Sequence, residues 1–164
     1  GNDTTRYSIS ASIKALIDNP DLLSQLRELD EAQWLLAVEE MLRWASPTMH
    51  FRRTAIEDVE FKGHHINAGD KVILWFISAN RDETVFEQPF TININRTPNP
   101  HLAFGQGSVH ACLGMWLARL ELRVVLQELV KRVHSIEQSG PETYLRSNFI
   151  GGIKSLPVSI QCVQ

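Results

Sequence analysis

The sequence is poor in cysteine. It has two, Cys112 and Cys162, in 164 residues. Two cysteines make no disulfide framework, and such sparse use suits a reducing compartment, so a cytoplasmic location is expected. Long apolar runs are missing as well. No stretch approaches the roughly 20 residues that span a bilayer, and no secretory leader pattern is present, so no membrane partner is expected. Positive charge is not in excess. Sixteen Lys and Arg stand against 19 Asp and Glu, a formal charge of −3, which leaves no electrostatic footprint for nucleic acid. Internal repeats and low-complexity tracts are also missing. What remains is a chain with 43% apolar residues, enough to bury a core and of a length that suits one domain. It opens at Gly1, in what reads as the middle of a helix. A single partial domain of a longer protein is therefore expected.

The stretch His101-Leu-Ala-Phe-Gly-Gln-Gly-Ser-Val-His-Ala-Cys-Leu-Gly114 carries the most chemistry. Gly105 and Gly107 break regular structure ahead of Cys112. After Gly114 an apolar sequence with helical spacing begins, with Leu113, Leu117, Leu120 and Val124 on one face. Cys112 thus lies where a glycine-rich loop feeds a long helix. Backbone N–H groups at a helix start favour a thiolate, which is a soft metal ligand or a nucleophile. Read without context, the same cysteine is equally a buried free thiol.

The loop resembles the haem-ligand loop of the cytochrome P-450 monooxygenases, through Phe104, Gly105, Gly107, His110, Cys112 and Gly114. It is one residue longer than the commonest family form, with Phe104 eight residues before Cys112. Three further motifs resemble the family in the family's order. Gly1-Asn-Asp-Thr-Thr5 is similar to the oxygen-groove signature; Asp3-Thr4 read without the resemblance would be an ordinary helix cap. Glu40 and Arg43 match its Glu-x-x-Arg pair. Arg53, in Arg-Thr-Ala, matches a haem-propionate arginine, a role suited to a forked guanidinium.

The resemblance implies a mainly α fold with small β-sheets, the C-terminal portion of the cytochrome P-450 fold. It implies haem b with Cys112 as the iron's axial ligand, and dioxygen as co-substrate. NAD(P)H would supply electrons through a ferredoxin reductase and a ferredoxin. It places Thr4 and Asp3 in proton delivery, Arg53 and His101 at the propionates, His110 either there or facing a redox partner, and Thr48, Met49, His50, Phe51, Phe149 and Ile150 around a small apolar substrate. Flanking sequence looks most like branches acting on sterols, branched lipids or terpenoids. Glu40 and Arg43 would lock to a meander ahead of the loop. Their third partner is expected in Pro89-Phe-Thr-Ile92, where Thr91 replaces the usual arginine; the sequence leaves open whether Arg96 takes its place. By itself the chain is expected to be inactive. Two other classes compete: a non-catalytic haem-thiolate binding or sensing protein, and a cysteine hydrolase pairing Cys112 with a histidine. The latter is disfavoured because His110 is too close in sequence to serve as the base.

Periodicity and punctuation supply the remaining expectations. Helices are expected over 1–18, 20–28 and from about Asp30 to Ala45, the last with an apolar face of Leu35, Val38, Leu42 and Ala45. Lys71–Ile77 reads as a buried strand, Ser78–Phe86 as a short helix and 89–100 as a packed meander. A hairpin over 145–158 is expected to turn at Gly151-Gly152. His64 and His65 are poor joint metal ligands, because neighbours on a strand point to opposite faces. Cys162 is expected in a terminal strand and inert.

Overall fold

The computed structural model describes residues 2–107 and 109–163; Gly1 of the first motif and Ser108 of the cysteine loop lie outside the described residues. Helix α1 runs Asp3–Asp18, α2 Pro20–Arg27 and α3 Glu31–Ala45. Each boundary has a local cause. Asn19 and Pro20 separate α1 from α2, Pro20 occupying the first helical turn, where a missing N–H costs nothing. Asp30 caps α3 through a reciprocal box: Gln33 N–H donates to Asp30 Oδ1 at 2.8 Å, and Asp30 N–H donates to Gln33 Oε1 at 2.9 Å. At the other end Ser46 adopts φ +38°, its hydroxyl donates to the Arg43 carbonyl at 2.6 Å, and Pro47 prevents continuation.

Among the described residues, four two-stranded antiparallel sheets follow the first three helices. Strand β1 (His50–Thr54) pairs with β4 (Lys71–Trp75), with Arg53 opposite Val72. Between them β2 (Val59–Phe61) and β3 (His64–Ile66) form a small hairpin, in which His65 Nδ1 lies 2.7 Å from Glu60. Helix α4 is short, Phe76–Ala79. After a long meander α5 runs Met115–Arg132 and continues into β5 (Val133–Gln138). Strand β6 (Thr143–Tyr144) pairs with β7 (Ile153–Ser155), and β8 (Val158–Cys162) pairs with β5. Cys162 is exposed at its end. No helix among the described residues is long and apolar enough to cross a membrane.

The core lies between α1, α2, α3 and α5. Leu16, Leu26, Ala37, Met41, Leu122 and Leu126 are each at most 2% exposed within it. Serines let α1 approach closely: Ser8 and Ser12 are buried, and each hydroxyl donates to the carbonyl four residues earlier, at 2.9 and 2.8 Å, so neither is left unpaired.

Several expectations give way here. Leu35 of α3 is exposed; the helix instead buries Trp34, Ala37, Val38, Met41 and Leu42, rotated so that Glu40 and Arg43 also point inward. The expected strand 71–77 ends at Trp75, and Ile73, Leu74 and Trp75 are exposed rather than buried, because the sheet has only two strands and neither of its faces is fully covered. The expected helix over 78–86 is α4, starting two residues earlier and closing after one turn; turns held by the Asp82 carboxylate, which accepts from Thr84 N–H at 2.9 Å, take up the rest. Gly151-Gly152 is not the hairpin turn. Leu145 N–H donates to the Gly152 carbonyl at 2.9 Å, so the reversal lies within 146–151, with Gly151 at its end, and Gly152 stands just ahead of β7. Glycine is needed there because a Cβ would sit 2.3 Å from the Tyr7 ring.

The largest departure concerns α5. Its buried residues are Leu122, Leu126 and Val130. Leu117, Leu120 and Val124 are 58%, 48% and 47% exposed, and Leu113 ahead of the helix is 99% exposed. The stripe picked out by periodicity faces away from the core.

Candidate functional site

Three elements meet at one concave site. The first turns of α1 supply Thr4, Thr5 and Ser8. The segment from Pro47 into β1 supplies Thr48, Phe51 and Arg53. The glycine loop and the start of α5 supply Ala103, Phe104, Gly105, His110, Cys112, Gly114 and Ala118. With Leu42 and Phe76 these residues line a cavity of about 410 Å³, within the range of small-molecule and cofactor sites.

The loop is built from both ends. Gly105 and Gly107 take φ of +63° and +82°, which residues with a Cβ adopt only at a cost. The chain reverses there, and Cys112 N–H returns to the Phe104 carbonyl at 2.9 Å. Cys112 is exposed toward the cavity. Gly114 follows, where a Cβ would lie 3.9 Å from Cys112 Sγ; a larger side chain there would crowd the sulfur. Cys112 is three residues ahead of Met115, the first residue of α5.

Of the residues singled out in the sequence, Thr4, Thr48, Phe51, Arg53, Phe104, Gly105, His110, Cys112 and Gly114 come together at this cavity. Arg53 donates to the Arg52 carbonyl at 3.1 Å and lies 5.9 Å from the Phe51 ring centre. The others stand apart from it. Asp3 is exposed and pairs with Arg6 at 3.2 Å. Gly107 is an exposed turn residue. Phe149 stands one ring behind the wall, 5.6 Å from Phe51 and 5.7 Å from His50. Its carbonyl accepts the Met49 N–H at 2.9 Å, and Ile150 bridges Thr48. His50 stacks edge-on against Trp75 at 4.7 Å, and its buried Nδ1 has no hydrogen-bond partner among the described residues.

His101, expected at a propionate, is not among the residues lining the cavity. It is fully buried; Nε2 lies 2.9 Å from Glu39 Oε2, and Nδ1 accepts the Ala103 N–H at 3.2 Å. Both ring nitrogens are engaged inside the fold, so neither is left for a group in the cavity.

Glu40 and Arg43 are both fully buried and form a bidentate pair at 2.8 Å. Arg43 also donates to the carbonyls of Asn80, Pro89 and Thr91 at 2.7, 2.9 and 3.1 Å. The third partner is Arg96, whose Nε donates to Glu40 at 3.0 Å. Thr91 contributes only its carbonyl. Burial pushes the Glu40 carboxyl up, but the Arg43 bonds, the Asn93 amide and the charges of Arg43 and Arg96 together hold it below its ordinary value.

Sequence reasoning missed three residues. Asn80 is fully buried and joins the end of α3 to the loop, donating to Ser46 Oγ at 2.8 Å and accepting from Leu102 N–H at 2.6 Å. Glu39 takes His101 on one side and Arg119 on the other, with Arg119 Nη2 at 2.9 Å. Burial raises the Glu39 carboxyl, yet those two partners outweigh it and bring its pKa to about 2. A charged residue on a helix carries no sign of a partner far along the chain, and a lone asparagine in a turn carries no pattern. The one available signal was the spacing of Glu39 beside the Glu40–Arg43 pair.

The donor set fits haem. A flat dianionic macrocycle needs apolar walls, cations at its edge and, for a thiolate-ligated iron, one accessible sulfur. This cavity has Phe51, Phe76, Phe104 and Ala118 as walls, Arg53 and His110 as basic groups, and Cys112 as the sulfur.

The family profile of cytochrome P450 matches residues 36–161. The chain is similar to the methyl-branched lipid omega-hydroxylase of Mycobacterium tuberculosis, 45% identical over 97% of this chain and 37% of that protein. It is similar to linalool 8-monooxygenase of Pseudomonas putida, 46% identical over 96% of this chain and 38% of the other. A crystal structure of a Mycobacterium marinum cytochrome P450 in complex with pseudoionone superposes with a TM-score of 0.92 at 44% identity, covering 96% of this chain and 38% of that one. The chain therefore spans less than two-fifths of the length of these relatives, and its helices and small sheets are part of their fold. On the profile match, these identities and the shared architecture, the chain belongs to the cytochrome P450 family.

Proposed function

We propose that the protein containing this chain is a haem-thiolate monooxygenase that inserts one atom of dioxygen into a C–H bond of an apolar substrate. One observation carries the reading: a single cavity brings together an accessible thiol, a helical hydroxyl and a basic edge. Cys112 would hold the iron through Sγ, and Arg53 and His110 would hold the propionates. When bound, a thiolate-ligated haem supplies the one-electron and dioxygen chemistry. The overall reaction takes a substrate C–H, dioxygen, NAD(P)H and a proton to the alcohol, water and NAD(P)⁺, the two electrons arriving through a ferredoxin reductase and a ferredoxin.

The chain's own residues bind, orient and exclude water. Thr4 presents its hydroxyl at the start of α1 and can pass a proton at Oγ1. Asp3, the exposed neighbour of Thr4 paired with Arg6, would exchange protons with water and so feed Thr4. Phe51 and Phe76 make the cavity wall apolar, and Phe149 backs Phe51, so a change behind the wall would shift the substrate. Support for a lipid or terpenoid substrate comes from the two hydroxylating relatives and from the apolar wall. The exposed stripe of Leu117, Leu120 and Val124 supports the chain being one part of a larger domain, inactive alone, since the cavity must be closed to keep water out.

The test is the carbon monoxide difference spectrum of the reduced full-length protein. Cys112→Ser should abolish the long-wavelength band of a thiolate-ligated haem, and Cys162→Ser should leave it intact. A band that survives in the Cys112 variant would refute the ligand assignment.

A further inference from the structure

Three consecutive residues ahead of the Gly105 reversal are each held by a buried or half-buried polar side chain. Leu102 N–H donates to Asn80 at 2.6 Å. Ala103 N–H donates to His101 Nδ1 at 3.2 Å. Phe104 lies under the Arg119 guanidinium, 4.8 Å from its ring centre. Two of these three holders, His101 and Arg119, are themselves fixed by one carboxylate, Glu39 of α3. Phe104 then receives the Cys112 amide on its carbonyl at 2.9 Å.

The hydrogen positions follow from the donors. Ala103 can only donate, so His101 Nδ1 carries no proton. The ring proton is therefore on Nε2, where it points at Glu39 Oε2. Glu39 is an anion that accepts from His101 Nε2 and Arg119 Nη2 on Oε2 and from Arg119 Nε on Oε1. It sets the histidine tautomer, and the tautomer sets whether the Ala103 amide has an acceptor.

We propose that Glu39 is a positioning residue for the cysteine loop: its carboxylate fixes the neutral Nε2–H tautomer of His101 and the pose of Arg119, and through them the Ala103–Phe104 backbone that receives the Cys112 amide. Only the last step, from loop position to sulfur ligation, rests on the haem-thiolate reading. Glu39→Gln shows why charge and not shape matters. An amide has one oxygen. If its NH2 faces Arg119, two donors meet; if it faces His101, the ring proton must move to Nδ1, where the Ala103 N–H already points. Either arrangement leaves a buried donor unmatched.

The experiment uses haem-loaded full-length protein with ¹⁵N-histidine and deuterated amides. In the wild type His101 should show an unprotonated Nδ1 and a protonated Nε2. In Glu39→Gln the Ala103 and Cys112 amides should exchange at least tenfold faster while those of β2 and β3 hold their rates, the His101 proton should shift toward Nδ1, and the long-wavelength carbon monoxide band should lose at least half its amplitude. Glu31→Gln, which removes an exposed carboxylate from the same helix, should change none of these. A proton on Nδ1 in the wild type overturns the proposal even if the Gln variant does not fold. Wild-type exchange at Ala103 in a folded Gln variant overturns it too. Faster exchange in a protein whose wild type lacks the long-wavelength band would keep the loop device and refute the ligand reading instead.

Discussion

Replacing Glu40 by Gln should be among the most damaging single-atom changes in this chain. Five donors converge on its carboxylate: Arg43 Nε and Nη2, Arg96 Nε, the Asn93 amide and Asn99 Nδ2, at 2.8 to 3.2 Å. Glu40 and Arg43 are fully buried and Arg96 is 7% exposed. The wild-type cluster holds two guanidinium charges against one carboxylate. Glutamine keeps the shape but removes the only anion, leaving two cations in the interior with one acceptor oxygen for five donors. Breaking a buried pair from one side costs about 3–5 kcal/mol, because the remaining charge is uncompensated, and this variant leaves two. Arg43→Met or Arg96→Met should cost less, since each leaves Glu40 paired with the other arginine. The assay is urea unfolding of the full-length protein followed by fluorescence of buried Trp34, comparing midpoints at constant slope. An exposed control, Glu31→Gln, should change stability by about 0–1 kcal/mol. A Glu40→Gln variant within 1 kcal/mol of the wild type, or one more stable than Arg96→Met, would refute the charge argument.

Three further outcomes are expected. Gly152→Ala should destabilise by about 1–3 kcal/mol, because the new Cβ would meet the Tyr7 ring, and Tyr7→Ala should offset part of that loss in the double variant by urea unfolding. Acid should weaken the fold through Glu39. Its folded pKa of about 2 lies below the ordinary 4.5, so its contribution is present above the unfolded value and is lost as pH falls from there toward 2, and a Glu39→Gln protein should show a flatter stability profile across that window. Thr4→Ala in the full-length protein should keep haem and still consume NAD(P)H, but release several-fold more hydrogen peroxide per product; an unchanged ratio would make Thr4 a plain helix residue.

Local chemistry was the legible part of the sequence. Asp30 with Gln33, Asn19-Pro20 and Ser46-Pro47 set helix ends through contacts within a few residues, and the structure places the boundaries there. The glycine loop around Cys112 was readable for the same reason. What depends on a distant partner was not. Arg96 reaches Glu40 across 56 positions and was in view only as an open candidate through the family resemblance, while His101 reaches Glu39 across 62 with nothing in either neighbourhood to announce it. Gly152 looked like a turn because glycine serves turns and close packing equally, and only the Tyr7 ring decides between them. The exposed β4 residues have the composition of an interior strand because composition reports what a face would bury, not whether a second layer is present to cover it.

That last distinction has its plainest consequence in α5. Leu122, Leu126 and Val130 anchor one side of the helix to α1, α2 and α3, while Leu117, Leu120 and Val124 lie on the opposite side and contribute nothing to that anchorage. The helix is a partition with two tenants. A library varied at 122, 126 and 130 should sort by whether the protein accumulates at all, whereas one varied at 117, 120 and 124 should accumulate evenly and sort by what the other room can hold. Selection for yield alone would therefore be blind to half of this helix, and removing its surface leucines to improve solubility would erase an apolar face that yield never reports.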